Sequence, residues 1–387
     1  MPHAYGVDSG HEDLLATRQI VESVVVPNAG AVDRDARFPA ESIDALGKKG
    51  LLGLCVDAAH GGRGQSPRMF AAVVEELAMA DSSAAMIYVM HVTAAQAIAA
   101  SEVLESRDEL LRDIARGKHL TTLAFSEKGS RSQFWAPVSK LVTNEGHYET
   151  SASKSWVTSA DHADSYVSSA QKPGAASPLE STIYLVRSKA KGVRVTSGFD
   201  GLGLRGNNSS PVALENVEVK KGDLISRDGE GANTMLQVVL PWFSLGTAAM
   251  ANGICRAAVS RTAEHLSGTG FEHDATRLRD LPVLRARIAD MSLRTEQSRA
   301  LLGHTLAHVE SASAAAPLYV LQSRLSSLEA AIDVTDLAMK ACGGAAFSKQ
   351  LGIERLFRDA RAGWVMAPTA DHLREFVGRA LTGLPLF

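Results

Sequence analysis

The chain has 387 residues, 45% of them apolar and 21% charged, with a formal net charge of −3 and three cysteines. That length and balance accommodate two or three domains around a sizeable core, and the lack of a basic block excludes the electrostatic footprint of a nucleic-acid binder. Cys55, Cys255 and Cys342 are far apart and form no CxxC pair, which argues against a zinc site or a disulfide framework and suits a reducing cytoplasm.

The opening "MPHAYGVDSGHEDLLATRQ" lacks a basic start followed by an apolar stretch, so no secretory leader is expected. Residues 1–118 read as a helical domain. "PAESIDALGKKGLLGL" carries apolar residues at helical spacing, and "SPRMFAAVVEELAMAD" opens with Ser66 as a predicted N-cap and Pro67 at the first helical position. Asp81 and Ser82 then start "SSAAMIYVMHVTAAQAIAA", whose His91, Gln96 and many small residues mark a buried helix rather than a membrane span.

From 119 to 228 the period changes to two. "LTTLAFS", "GHYETSASKSWVTS", "DSYVSSAQ", "STIYLVRS" and "PVALENVEV" are rich in β-branched and aromatic residues, and "NEG" at 144–146 is a hairpin turn. An antiparallel β-barrel domain is predicted there. Residues 229–387 return to long amphipathic helices, as in a four-helix bundle. The fold class is therefore α+β, in the order helical domain, β-domain, helical bundle.

"GLGLRG", residues 201–206, matches GxGxxG in letters, but a strand-like segment follows it where a dinucleotide fold needs a helix. These are turn glycines. His304 and His308 stand at i, i+4 near Glu310, yet no HExxH pattern accompanies them and no metal site is expected. Two other segments say more. "AFSEKGSRS" (124–132) packs hydroxyls, amides and a glycine into a turn able to face a flat heteroaromatic, and "KSWVTSA" (154–160) sets Trp156 two residues before Thr158, predicting that both face one side of a sheet.

That pair of segments resembles the flavin-binding turn and strand of the acyl-CoA dehydrogenase family. "FPAESIDALGKKGLLGL", "VVEELAMAD", "GLGLRGNNSS", "KACGGAAF" and "ERLFRDAR" resemble its landmarks in the right order, over nearly the whole length. The resemblance implies an FAD-dependent oxidoreductase with an N-terminal α-domain, a middle β-domain and a C-terminal bundle, assembled as a homotetramer. It implies that Leu123, Phe125, Ser126 and Ser132 lie by the flavin ring and ribityl chain, with Arg131 an unusual cation beside them. Trp156 and Thr158 match the flavin-stacking strand. Gly343 and Gly344 match a loop approaching a neighbouring subunit's FAD, and Thr369 and Asp371 match flavin-contacting positions.

The departures are equally specific. The family's base is a glutamate in an "EGT" triplet after "RDAR", or one on the first long helix of the bundle. Here those places hold Ala367, in Ala367-Pro368-Thr369, and Phe243. Pro241 and Ser244 stand where CoA-holding residues are usual, and Gly268 and Pro282 where a cofactor-binding arginine and glutamine are usual. His91, Asp371 and Glu375 are the remaining candidates for proton transfer, with His91 the foremost because a histidine titrates near neutral pH. Three activities follow as expectations. The first is oxidation of an acyl-CoA or related carbonyl compound with an atypical base and an electron-transfer partner. The second is a monooxygenase on the same fold, supplied with FMN or reduced flavin by a reductase. The third is a non-catalytic subunit of a hetero-oligomeric flavoenzyme.

Overall fold

The computed structural model describes residues 3–386. The N-terminal part is built from α1 (Glu12–Ile20), α2 (Val26–Asp35), α3 (Ala40–Lys48), α4 (Pro67–Ala80), α5 (Ser82–Ala99) and α6 (Arg107–Ala115). Pro67 opens α4, where its missing N–H costs nothing, though Ser66 makes no side-chain cap bond. Asp81 caps α5 by accepting the Ser83 N–H at 2.9 Å. α5 is apolar on every side because it is packed on every side: 83% of it is buried in the fold, as is 78% of the most apolar 18 residues within 231–268.

Seven strands follow: β1 (Thr121–Ala124), β2 (Leu141–Asn144), β3 (His147–Val157), β4 (Ser165–Gln171), β5 (Ser181–Arg187), β6 (Val193–Val195) and β7 (Ser210–Val219). They form two sheets, β1-β4-β5 and β2-β3-β7-β6, with a shared core that includes Val157, Tyr166, Tyr184 and Val212. Asn144 pairs with His147 across Glu145 and Gly146, both at positive φ, which is the tight hairpin that "NEG" predicted. The domain is not antiparallel throughout. β1 and β4 are parallel, since the chain leaves β1, builds β2 and β3 in the other sheet, and only then returns to β4.

The C-terminal part comprises α7 (Gly231–Thr234), α8 (Leu240–Gly268), α9 (Pro282–Glu310), α10 (Ala316–Cys342), α11 (Gly344–Phe347), α12 (Ile353–Val365) and α13 (Ala370–Leu381). α8 packs on α9, α10 and α4, so one apolar core runs from the bundle into the N-terminal helices. His304 and His308 pack against Tyr319, edge-on and tilted, at ring-centroid distances of 4.7 and 4.6 Å, and Glu310 pairs with Arg68 instead of with them. Among the described residues no cluster of His, Cys, Asp or Glu could hold a metal ion.

Candidate active site

Where the three parts meet, a cavity of about 900 Å³ opens between β1, the turn after it, the end of β3, α5, α8 and α12. Leu123 lines it from β1, Phe125, Ser126, Arg131 and Ser132 from the turn, Trp156 from the end of β3 and Thr158 from just beyond it. Phe243 and Ala367 are on the same wall, so the two positions left without a glutamate face one common space.

Trp156 and Thr158 are two residues apart, the spacing that puts both on one face of a strand, and both line the cavity, although the local backbone is irregular. The β3–β7 register shifts between Lys154 and Val157, and Trp156 takes a φ of +56°. The indole is thereby thrown outward and is 69% exposed, whereas Thr158 is buried and hydrogen-bonds Ser209 at 3.1 Å. A bare indole inside a concavity presents an apolar face to a flat partner. Lys128 and Arg131 line the same cavity and have no ion pair among the described residues, which leaves positive charge available to phosphate. Indole, hydroxyls and free cations together fit FAD.

A buried ion pair holds the turn in shape. Glu127 accepts Lys154 Nζ and Ser139 Oγ at Oε1, at 2.6 and 2.5 Å, and the Val138 and Ser139 N–H groups at Oε2, at 2.7 and 2.8 Å. Burial alone would push its carboxyl up, but Lys154 and these donors hold it below the usual range. Glu127 is the only carboxylate among the described residues on the cavity wall, and both its oxygens are committed.

His91 does not reach the cavity. It is wholly buried on α5, where Nδ1 accepts the Thr121 N–H at 3.1 Å and Nε2 lies 3.1 Å from the Leu52 carbonyl oxygen. Burial pushes it down to about 4, so it is a neutral core residue near pH 7. The expectation of a base there fails because α5 is packed on all sides, leaving its histidine only backbone partners. Asp371 and Glu375 point away as well: Asp371 is exposed and paired with Arg374, and Glu375 with Arg379. Thr369 caps α13 behind the wall and does not line the cavity. Gly343 and Gly344 follow the end of α10, outside this cavity.

Other wall residues had no role assigned from the sequence. Met86, Met90 and Leu240 give apolar surface, and Arg358 and Arg361 from the "RDAR" segment also line the cavity. Arg358 is tied to Asp33 at 2.6 Å, and Arg361 pairs with Asp336. The "GLGLRG" loop supplies Gly201 to Leu204. A side chain at Gly203 would meet the Arg358 carbonyl oxygen at 2.5 Å, so this glycine serves a close backbone approach and not a phosphate. His372 links turn and helix: its Nδ1 lies 2.9 Å from Thr369 Oγ1 and 3.3 Å from Ser132 Oγ. Nothing in the letters of "DHLREF" announces that bridge.

Three family models match the chain: the acyl-CoA dehydrogenase N-terminal domain over residues 11–118, the middle domain over 122–217 and the C-terminal domain over 229–382. A 3-(aryl)acrylate reductase of Clostridium sporogenes is 25% identical over 89% of this chain and 90% of its own length. A cyclohex-1-ene-1-carbonyl-CoA dehydrogenase of Geobacter metallireducens is 26% identical over 94% of this chain and 95% of its own. The solved butyryl-CoA dehydrogenase of Megasphaera elsdenii superposes with a TM-score of 0.90 at 20% identity, covering 95% of this chain and 96% of that one.

Proposed function

Since the chain belongs to the acyl-CoA dehydrogenase family, a family of FAD-dependent oxidoreductases, we propose that its cavity binds FAD and oxidises an acyl thioester or a related carbonyl compound. Bound FAD supplies the two-electron acceptor. The side chains of Leu123, Phe125, Ser126 and Ser132, with Trp156 and Thr158, would hold the ring and ribityl portion, and Arg131 and Lys128 would meet its phosphates. The Glu127–Lys154 pair fixes the turn that presents these groups. Met86, Met90, Phe243 and Ala367 form an apolar wall that keeps water from the reacting carbon.

The observation that carries this reading is the exposed indole of Trp156 facing a cavity that also holds unpaired cations. It belongs with a homotetramer, an electron-transfer partner and a cytoplasmic location, all parts of the same proposal. A second reading is favoured by the committed state of Glu127. With no free carboxylate among the described residues of the wall, proton abstraction has no carboxylate acceptor there, and a monooxygenase given reduced flavin by a reductase needs none.

The test is the visible spectrum of the purified protein, followed by anaerobic addition of a panel of acyl-CoAs. Bleaching by one thioester supports dehydrogenation. A protein that takes up reduced flavin and consumes oxygen, with no response to thioesters, supports the monooxygenase. A protein that retains no flavin and acts only beside a homologue is a partner subunit.

A further inference from the structure

Arg324, on α10, is wholly buried. Its Nη2 donates to the Met366 carbonyl oxygen at 3.2 Å, while Nε and Nη1 are buried and find no hydrogen-bond partner. Cζ lies 4.7 Å from the centroid of the Phe243 ring. Among the described residues no carboxylate pairs with it. The contrast is with Arg256 and Arg299, which share Glu75, and with Arg358, which has Asp33. Burial with no counter-charge pushes the Arg324 guanidinium down to about 9.

A guanidinium withdrawn from water is ordinarily paired, because desolvation is offset only by an anion and by filled donors. The place of this one is therefore informative. Met366 and Phe243 both line the cavity, so the charge lies one side-chain layer behind the wall, at the carbonyl that precedes Ala367. Phe243 is only partly buried. Its ring supplies a cation–π contact, which is weaker than charge-assisted hydrogen bonds to a carboxylate. A change of rotamer at Phe243 would remove the cover with the backbone in place.

We propose that Arg324 anchors a carboxylate carried by the substrate, and that the Phe243 ring is the movable cover over this anion site. The proposal rests on the reading of the cavity as the substrate site and adds the charge of the substrate to it. It also relates the two unusual wall residues: a glutamate at position 243 or 367 would itself stand beside Arg324 and compete with the substrate anion, which phenylalanine and alanine do not.

The test uses the FAD-loaded protein and a pair of probes, pentanoate and pentanamide, alike in size and different in charge. Calorimetric titration is expected to show pentanoate binding about tenfold more tightly, and Arg324→Met is expected to abolish that difference. Equal affinities in the native protein, or a preference that survives Arg324→Met, would overturn the proposal. Phe243→Ala keeps the test decisive if the first variant does not fold. It is expected to strengthen pentanoate binding relative to pentanamide, and an unchanged or reduced preference would count against the anchor. Pentanoate preference without any response to acyl-CoAs would retain the anion site and remove the thioester. Oxidation of acyl-CoAs without the preference would do the reverse.

Discussion

Lys154 Nζ stands 2.6 Å from Glu127 Oε1, and both side chains are buried at the base of the turn that carries Ser126, Arg131 and Ser132. Removing one partner strands the other charge in the interior. Glu127→Gln and Lys154→Met should each lower stability by about 3–5 kcal/mol and loosen the turn. The double variant should recover much of that loss. Urea unfolding and the flavin retained through gel filtration measure the two effects separately.

Trp156 is exposed in the absence of a ligand, so its removal leaves no void in the core. Trp156→Ala should leave the melting temperature of the flavin-free protein nearly unchanged. It should weaken FAD binding by about tenfold, the upper range for one aromatic stacking contact. Fluorescence titration with FAD checks it, and an unaltered affinity would remove the indole from the cofactor site.

His91 ties the bulk of its consequences to stability and not to chemistry. Its folded value of about 4 lies below the ordinary 6.5, so the unfolded chain takes up a proton first as the medium is acidified. Its contribution is intact above pH 6.5 and is lost as pH falls from 6.5 to 4, by about 3 kcal/mol in all. His91→Asn should be less stable at pH 7 and show a shallower acid dependence through that window. Turnover per folded, FAD-loaded molecule should persist. Loss of turnover with the cofactor still bound would return His91 to the mechanism.

Ala367 offers a gain-of-function test. Ala367→Glu places a carboxylate on the cavity wall and should speed the oxidation of acyl-CoAs, read as the rate of anaerobic bleaching of bound FAD. If thioesters are shown to bind the variant and the flavin stays oxidised, the absent base is not what separates this chain from thioester chemistry.

The order of domains was legible from periodicity, since a change from helical spacing to alternation and back leaves a clear mark on the letters. The turn at 124–132 and the segment around Trp156 were legible as a lining of the cavity, because clustered serines and a tryptophan at a strand end have little to do in an apolar core. The parallel β1–β4 pair was not, as it depends on where the chain returns after a long excursion. His91 misled for a different reason: a residue that can titrate near neutrality says nothing of which backbone groups surround it. Arg324 lay unseen inside an ordinary amphipathic stretch, because the absence of a partner is a property of three dimensions.

The contact between the "GLGLRG" loop and α12 bears on how molecules enter and leave. The Leu204 N–H donates to Asp359 Oδ1 at 2.7 Å, Arg358 Nη1 donates to the Leu202 carbonyl oxygen at 3.0 Å, and no side chain fits at Gly203. Gly203→Ala should therefore cost about 1–3 kcal/mol, measurable as a lower melting temperature. The cavity wall is thus fastened along this seam, while the exposed indole of Trp156 marks the side of the cavity that is open to solvent.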